Sequence, residues 1–118
     1  MSNTEIFVFG SNLGERHGAG SALHARQHYN AKYGVGFGPT GNSYAIPTKD
    51  AKLKTLPLIE IRAYVETFIQ YAKDHPELQF KIVAIGTGLA GYTDAEMGPL
   101  FKGAPSNCIL PSNWEQYR

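Results

Sequence analysis

The clearest periodicity in the chain lies between Leu58 and Ala72. Leu58, Ile61, Val65, Phe68 and Ala72 recur at spacings of three and four, drawing one apolar stripe that predicts an amphipathic helix. Thr55 followed by Pro57 predicts its start, a capping hydroxyl and a proline tolerated in the first turn. The run Asp74, His75, Pro76 predicts its end. Two blunt apolar runs have a different character. Ile6 to Phe9, closed by Gly10, and Phe80 to Gly86, unbroken from Ile82 to Ile85, read as buried strands. Tyr44 to Pro47 reads as a short strand ended by its proline, and Cys108 to Leu110 as another. From Gly18 a face of small residues, Ala19, Ala22, Leu23 and Ala25, predicts a helix that Gly34 stops. Tyr33 to Ser43 reads as a loop, and Ala95 to Phe101 as a short helix.

Strands alternating with helices predict an α/β layered domain with a mainly parallel or mixed sheet, one domain over residues 1–118. In such sheets ligands sit beyond the carboxyl ends of the strands. Two glycine-rich loops fall there, one after Phe9 and one, Thr87 to Asp94, after Ile85. Gly86, Gly88 and Gly91 predict a backbone nest whose N–H groups face one centre, helped by the dipole of the helix that follows. Gly10, Gly14, Gly18 and Gly20 would let the first loop approach a ligand closely, with Asn12 adding a polar group at the strand end. A diphosphate between two such loops needs no lysine.

Composition agrees with that picture. The formal net charge is +1 and 42% of residues are apolar, so nothing advertises a nucleic-acid or membrane surface. The one local excess, Lys49, Lys52 and Lys54, reads first as a solvated loop. No apolar run is long enough to span a bilayer, the first residues lack a secretory pattern, and a single Cys108 excludes an internal disulfide. Together these predict a cytoplasmic protein.

Other motifs weaken on inspection. Gly36 to Gly41 matches G-x-G-x-x-G formally, but it follows a helical stretch rather than a strand, and Pro39 interrupts it. No Walker A sequence exists. His24 and His28 have the spacing of a zinc pair without an intervening Glu or a third ligand, so no metal is expected. Cys108 beside a strand reads as an inert buried thiol. Tyr92 stands out among the tyrosines because it sits in the second glycine loop. Trp114 reads as an anchor for the tail in preference to a platform for a base.

The stretch "FVFGSNLGERHGAGSALHA", Phe7 to Ala25, together with "VAIGTGLAGY", Val83 to Tyr92, resembles the macrodomain family of ADP-ribose-binding modules. The order is similar: a strand, an Asn-bearing loop, a glycine turn and small-residue helix, then a later strand ending in a GTG…G loop. The resemblance implies a small three-layer fold and ADP-ribose or a related nucleotide as ligand, with no cofactor. It implies contacts from Gly10, Ser11, Asn12, His17, Gly18 and Gly20 in the first loop. In the second it implies contacts from Gly86, Thr87, Gly88, Leu89, Ala90, Gly91 and Tyr92. Asn12 matches the ribose-binding asparagine. The branch most similar removes ADP-ribose from proteins, which makes ADP-ribosylated macromolecules expected partners. In that branch "YAIPTKD" matches Lys49 to a nucleophilic lysine. Two features depart from the family pattern. Ala90 stands where a catalytic carboxylate is expected, with Asp94 nearby and Asp50 beside the lysine but neither a residue-for-residue match, and the segment before Ile6 is too short for the usual adenine-binding Asp. An ADP-ribosyl glycohydrolase and a non-catalytic reader or sequestering protein are therefore both open.

Overall fold

The computed structural model of the chain describes residues 5–14, 27–29, 36–88 and 90–118. Its centre is β1 (Glu5–Asn12), whose residues 6–9 are all buried. An unbroken apolar run suits a strand covered on both faces, and β1 lies in the middle of the sheet. On one side it pairs in parallel with β3 (Ser43–Lys49), on the other with β4 (Gln79–Ile82). The two-residue β5 (Cys108–Ile109) extends β4 in parallel, and β2 (Gly38–Thr40) joins β3 antiparallel, giving the order β2-β3-β1-β4-β5.

Three expectations change here. The stretch Tyr33–Ser43, read as loop, contains β2. Gly41, at φ 55°, makes a two-residue turn between Thr40 and Ser43, and Pro39 is accommodated because β2 is an outer strand of the described sheet. Pro47 does not end β3, which runs on to Lys49. Directly after the proline the β1–β3 register shifts between Ser11 and Asn12. Ser11 faces Pro47 and Asn12 faces Lys49, leaving Thr48 as an extra residue. The run Phe80–Gly86 is a strand only to Ile82. Beyond it the Ile85 amide donates to the Val83 carbonyl at 2.7 Å, a γ-turn around Ala84.

The predicted stripe forms α1 (Leu58–Asp74), with Ile61, Val65, Phe68, Ile69 and Ala72 buried against the sheet. Thr55 does not cap it. Pro57 occupies the cap position without a side-chain bond, and the Thr55 hydroxyl is engaged elsewhere. At the far end the Asn107 amide donates to the carbonyls of Ala72, His75 and Leu78 at 3.0–3.1 Å, closing α1 and the turn into β4. Ile6, Val8, Tyr44, Ile46 and Phe80 face this helix. Phe7, Phe9 and Ala45 face the other way, where Tyr29 stacks on Phe7 at 4.6 Å. Of the first predicted helix, Gln27 and His28 are described and have helical backbone; the residues from Gly18 to Ala25 and Gly34 lie outside the described residues.

The short helix α2 (Asp94–Met97) continues into a 3-10 turn, Gly98–Phe101, and a second 3-10 helix spans Ser112–Tyr117. Trp114 in that last element is fully buried, and its indole N–H donates to Asp94 Oδ1 at 2.7 Å. The tail is thus anchored by Trp114. Cys108 is buried as expected, and burial pushes its thiol up to about 11 despite the opposing pull of Arg118. No helix among the described residues is long and apolar enough to cross a membrane.

Asn107→Ala is expected to destabilise the fold by about 1–2 kcal/mol, because three helix-end carbonyls lose one donor, read as a lower urea midpoint. Asn107→Asp keeps the size but removes the amide hydrogens and should be at least as damaging. High pH should also unfold the protein. Burial raises the Cys108 thiol from 9.0 to about 11, and burial with the Tyr71 neighbour raises the Tyr44 phenol from 10.0 to about 12. Folded protein therefore holds these protons more tightly than unfolded protein does. Stability is full below about pH 9 and falls as pH rises through 11 and 12. Urea midpoints should decline across that window, with a smaller early decline in Cys108→Ala.

Candidate functional site

β1, β3 and β4 run in parallel, so their carboxyl ends share one edge. At that edge the register shift sets Asn12, the last residue of β1, opposite Lys49, the last of β3. The Leu13 amide donates to the Lys49 carbonyl at 2.9 Å, which continues the pairing past both strands. Asn12 is buried and Lys49 half-buried.

The lysine-rich stretch after β3 is folded back on itself. Leu56 N–H donates to Thr48 O at 2.9 Å, Lys49 bridges Thr55 antiparallel, and Asp50 N–H donates to Lys54 O at 2.7 Å. The Asp50 carboxylate accepts from the amides of Lys52 and Lys54 at 2.8 and 2.9 Å. Asp50 therefore closes its own turn. Lys52 and Lys54 are exposed, in keeping with a solvated loop.

The second glycine loop leaves β4 on the other side of β1. Gly86 has φ 81° and Gly91 φ 86°. Thr87 donates to Ala84 O from both its amide and its hydroxyl, Gly91 N–H donates to Gly88 O, and Tyr92 N–H returns to Gly86 O. The loop is therefore less of a nest than its glycines predict, since several amides turn inward. The Gly88 and Ala90 amides donate to no carbonyl among the described residues. The expected help from the following helix is also smaller. α2 has four residues, and Thr93 with Glu96 caps it by a reciprocal pair of bonds at 3.0 and 3.2 Å.

The remaining sequence-derived candidates divide clearly. Gly10 serves the protein's own packing: a Cβ there would lie 3.3 Å from Ile85 Cγ2 and 3.6 Å from Thr48 Oγ1. The Ser11 hydroxyl donates to the Gly36 carbonyl, and Gly14 packs on Ala51. Tyr92 donates its phenol proton to Leu56 O at 2.5 Å, and Ala90 offers its carbonyl to the Thr55 hydroxyl at 2.8 Å. Asp94 accepts from Trp114, as described above. His17, Gly18, Gly20 and Leu89 lie outside the described residues. Among the described candidates, the edge brings together Asn12 and Lys49 on one side and Gly86 to Tyr92 on the other. Sequence reading missed Thr48 and Thr55. A proline inside an otherwise good strand was the available signal for the first; nothing local signals the second.

A mixed five-stranded sheet with helices, arranged in this order, is a macrodomain-like fold. No protein-family model and no curated protein matches the chain. Among solved structures it is similar to Thermosipho africanus DarTG in complex with ADP-ribose, with a TM-score of 0.66 and 14% identity. That likeness covers 95% of this chain and 39% of the DarTG chain. At this identity the likeness is one of fold.

Gly86→Ala and Gly88→Ala should separate the two kinds of glycine in the loop. At Gly86 a Cβ would meet Met97 Sδ at 2.8 Å in left-handed backbone, so alanine should cost about 1–3 kcal/mol in a denaturant titration. At Gly88 no described residue lies within 4 Å and φ is ordinary, so the same change should leave the midpoint within about 0.5 kcal/mol of wild type.

Proposed function

We propose that this protein binds ADP-ribose or a related nucleotide at the carboxyl edge of its sheet. The observation that carries the reading is the convergence of Asn12, Lys49 and the Gly86–Tyr92 loop on one edge. The fold is shared with part of DarTG, whose structure is of a complex with ADP-ribose. In this reading the diphosphate lies against the glycine loop, where the Gly88 and Ala90 amides are the donors to its oxygens. Asn12 holds the distal ribose. Recognition by main-chain amides suits a chain of net charge +1.

Lys49 supports a second reading, hydrolysis of an ADP-ribosyl bond. Facing Asn12 across the ladder, its amine would attack the anomeric carbon of the ribose that Asn12 holds. The bond to the leaving group breaks as the nitrogen–carbon bond forms, and water later releases ADP-ribose. Against turnover stand Ala90 at the expected carboxylate position and the lack of a residue-for-residue replacement in Asp94, whose Oδ1 accepts from Trp114. Those features favour a reader that binds without reacting.

Calorimetry with ADP-ribose tests binding. Wild type should bind, and Gly88→Val and Asn12→Ala should each weaken affinity by about tenfold or more, through crowding and loss of a polar contact. Absence of heat with ADP-ribose and related nucleotides from folded wild type refutes the proposal. Incubation with ADP-ribosylated protein then distinguishes the two chemistries. Release of ADP-ribose that Lys49→Ala abolishes identifies an enzyme, and binding without release identifies a reader.

A further inference from the structure

We propose that Thr55 and Tyr92 form a clasp that makes segment 49–56 and glycine loop 86–92 one body, so that occupation of the loop sets the position of Lys49. The two walls are not neighbours in the sheet: β3 and β4 lie on opposite sides of β1. They meet above the carboxyl end of β1. There Gly10 has no side chain, and Thr48 from one wall and Ile85 from the other both close over it.

Two hydrogen bonds cross this junction in opposite directions. The Thr55 hydroxyl donates to Ala90 O at 2.8 Å, and the Tyr92 phenol donates to Leu56 O at 2.5 Å. Each wall thus supplies one donor and one acceptor, and Thr55 and Leu56 are adjacent in the chain. The clasp is connected to Lys49 by main-chain pairing. Thr55 is the bridge partner of Lys49, and Leu56 N–H bonds to Thr48 O. A shift of Ala90 or Tyr92 therefore moves Thr55 and Leu56, and with them the short ladder that carries Lys49. Thr55 is exposed, so its hydroxyl is not demanded by packing. Both Thr55 and Tyr92 act as positioning residues, through backbone that they hold.

The coupling itself stands apart from the ligand; its use rests on the ADP-ribose reading above. Hydrogen–deuterium exchange on the full chain, with and without ADP-ribose, tests each part. Without ligand, Thr55→Val and Tyr92→Phe should each speed amide exchange by about fivefold in both segments while peptides from β1 and α1 stay unchanged. Thr55→Ser, which keeps the hydroxyl, should restore wild-type exchange. With ADP-ribose, both segments should slow in wild type, whereas only residues 86–92 should slow in Thr55→Val. Faster exchange confined to the mutated segment overturns the clasp, as does equal protection of residues 49–56 by ligand in wild type and Thr55→Val. A wild type whose exchange ignores ADP-ribose refutes the ligand reading, and the ligand-free comparison still decides the clasp.

Discussion

The edge of this molecule depends on one extra residue in a ladder. Pro47 lies inside β3, beside the central strand, and the Phe7–Asn42 bond sets the even-numbered residues of β3 toward β1, so the proline nitrogen faces away from that ladder. From Phe7 to Ser11 the β1–β3 register advances one residue for one; after Pro47 it admits Thr48 as an extra residue. Thr48 turns its hydroxyl to the Ser11 carbonyl at 3.3 Å, which recovers a polar contact where the ladder is disturbed. The shift decides which side chain closes the strand opposite Asn12. With strict pairing that residue would be Thr48; with the bulge it is Lys49. The Leu13–Lys49 bond, the Asp50 turn and the return of the chain to Thr55 follow from that register.

The second wall is held from below. Met97 packs directly under Gly86, close enough that no side chain fits at that glycine. Met97 ends the helix that Asp94 begins, and Asp94 is held by the indole of the fully buried Trp114. A residue near the end of the sequence thus supports a loop that begins almost thirty residues earlier. Left-handed φ at Gly86 and Gly91 and the internal hydrogen bonds shape the described part of this loop.

The layers were legible in the sequence, the joints much less so. The 3.6-residue stripe from Leu58 to Ala72 and the blunt run from Ile6 to Phe9 are packing signals, and both produced the expected elements. The register shift was not legible, because it arises between two strands far apart in sequence, and Pro47 read alone suggests a strand end. The run from Ile82 to Ile85 misled for a related reason. Continuous apolar character reports burial, and a γ-turn buries Ile85 as well as a strand would. Thr55 shows the limit of capping rules: threonine two residues before a helical proline is a good cap by pattern, yet its hydroxyl found a carbonyl across the site. Asn107 left no signal at all, since its value lies in three carbonyls brought together by the fold.

Two carboxylates beside the edge, among the described residues, are tied into the fold. Asp50 is occupied by two amides of its own turn, and Asp94 by an indole N–H. In each case the bonds fall on Oδ1, which fixes the orientation of the carboxylate. Lys49 has no such duty in its side chain among the bonds described at this edge; only its backbone is committed. The order of the loops carried the resemblance more than any one motif did. A shared fold constrains strand order and turn geometry and leaves most other positions free to differ, which is compatible with 14% identity.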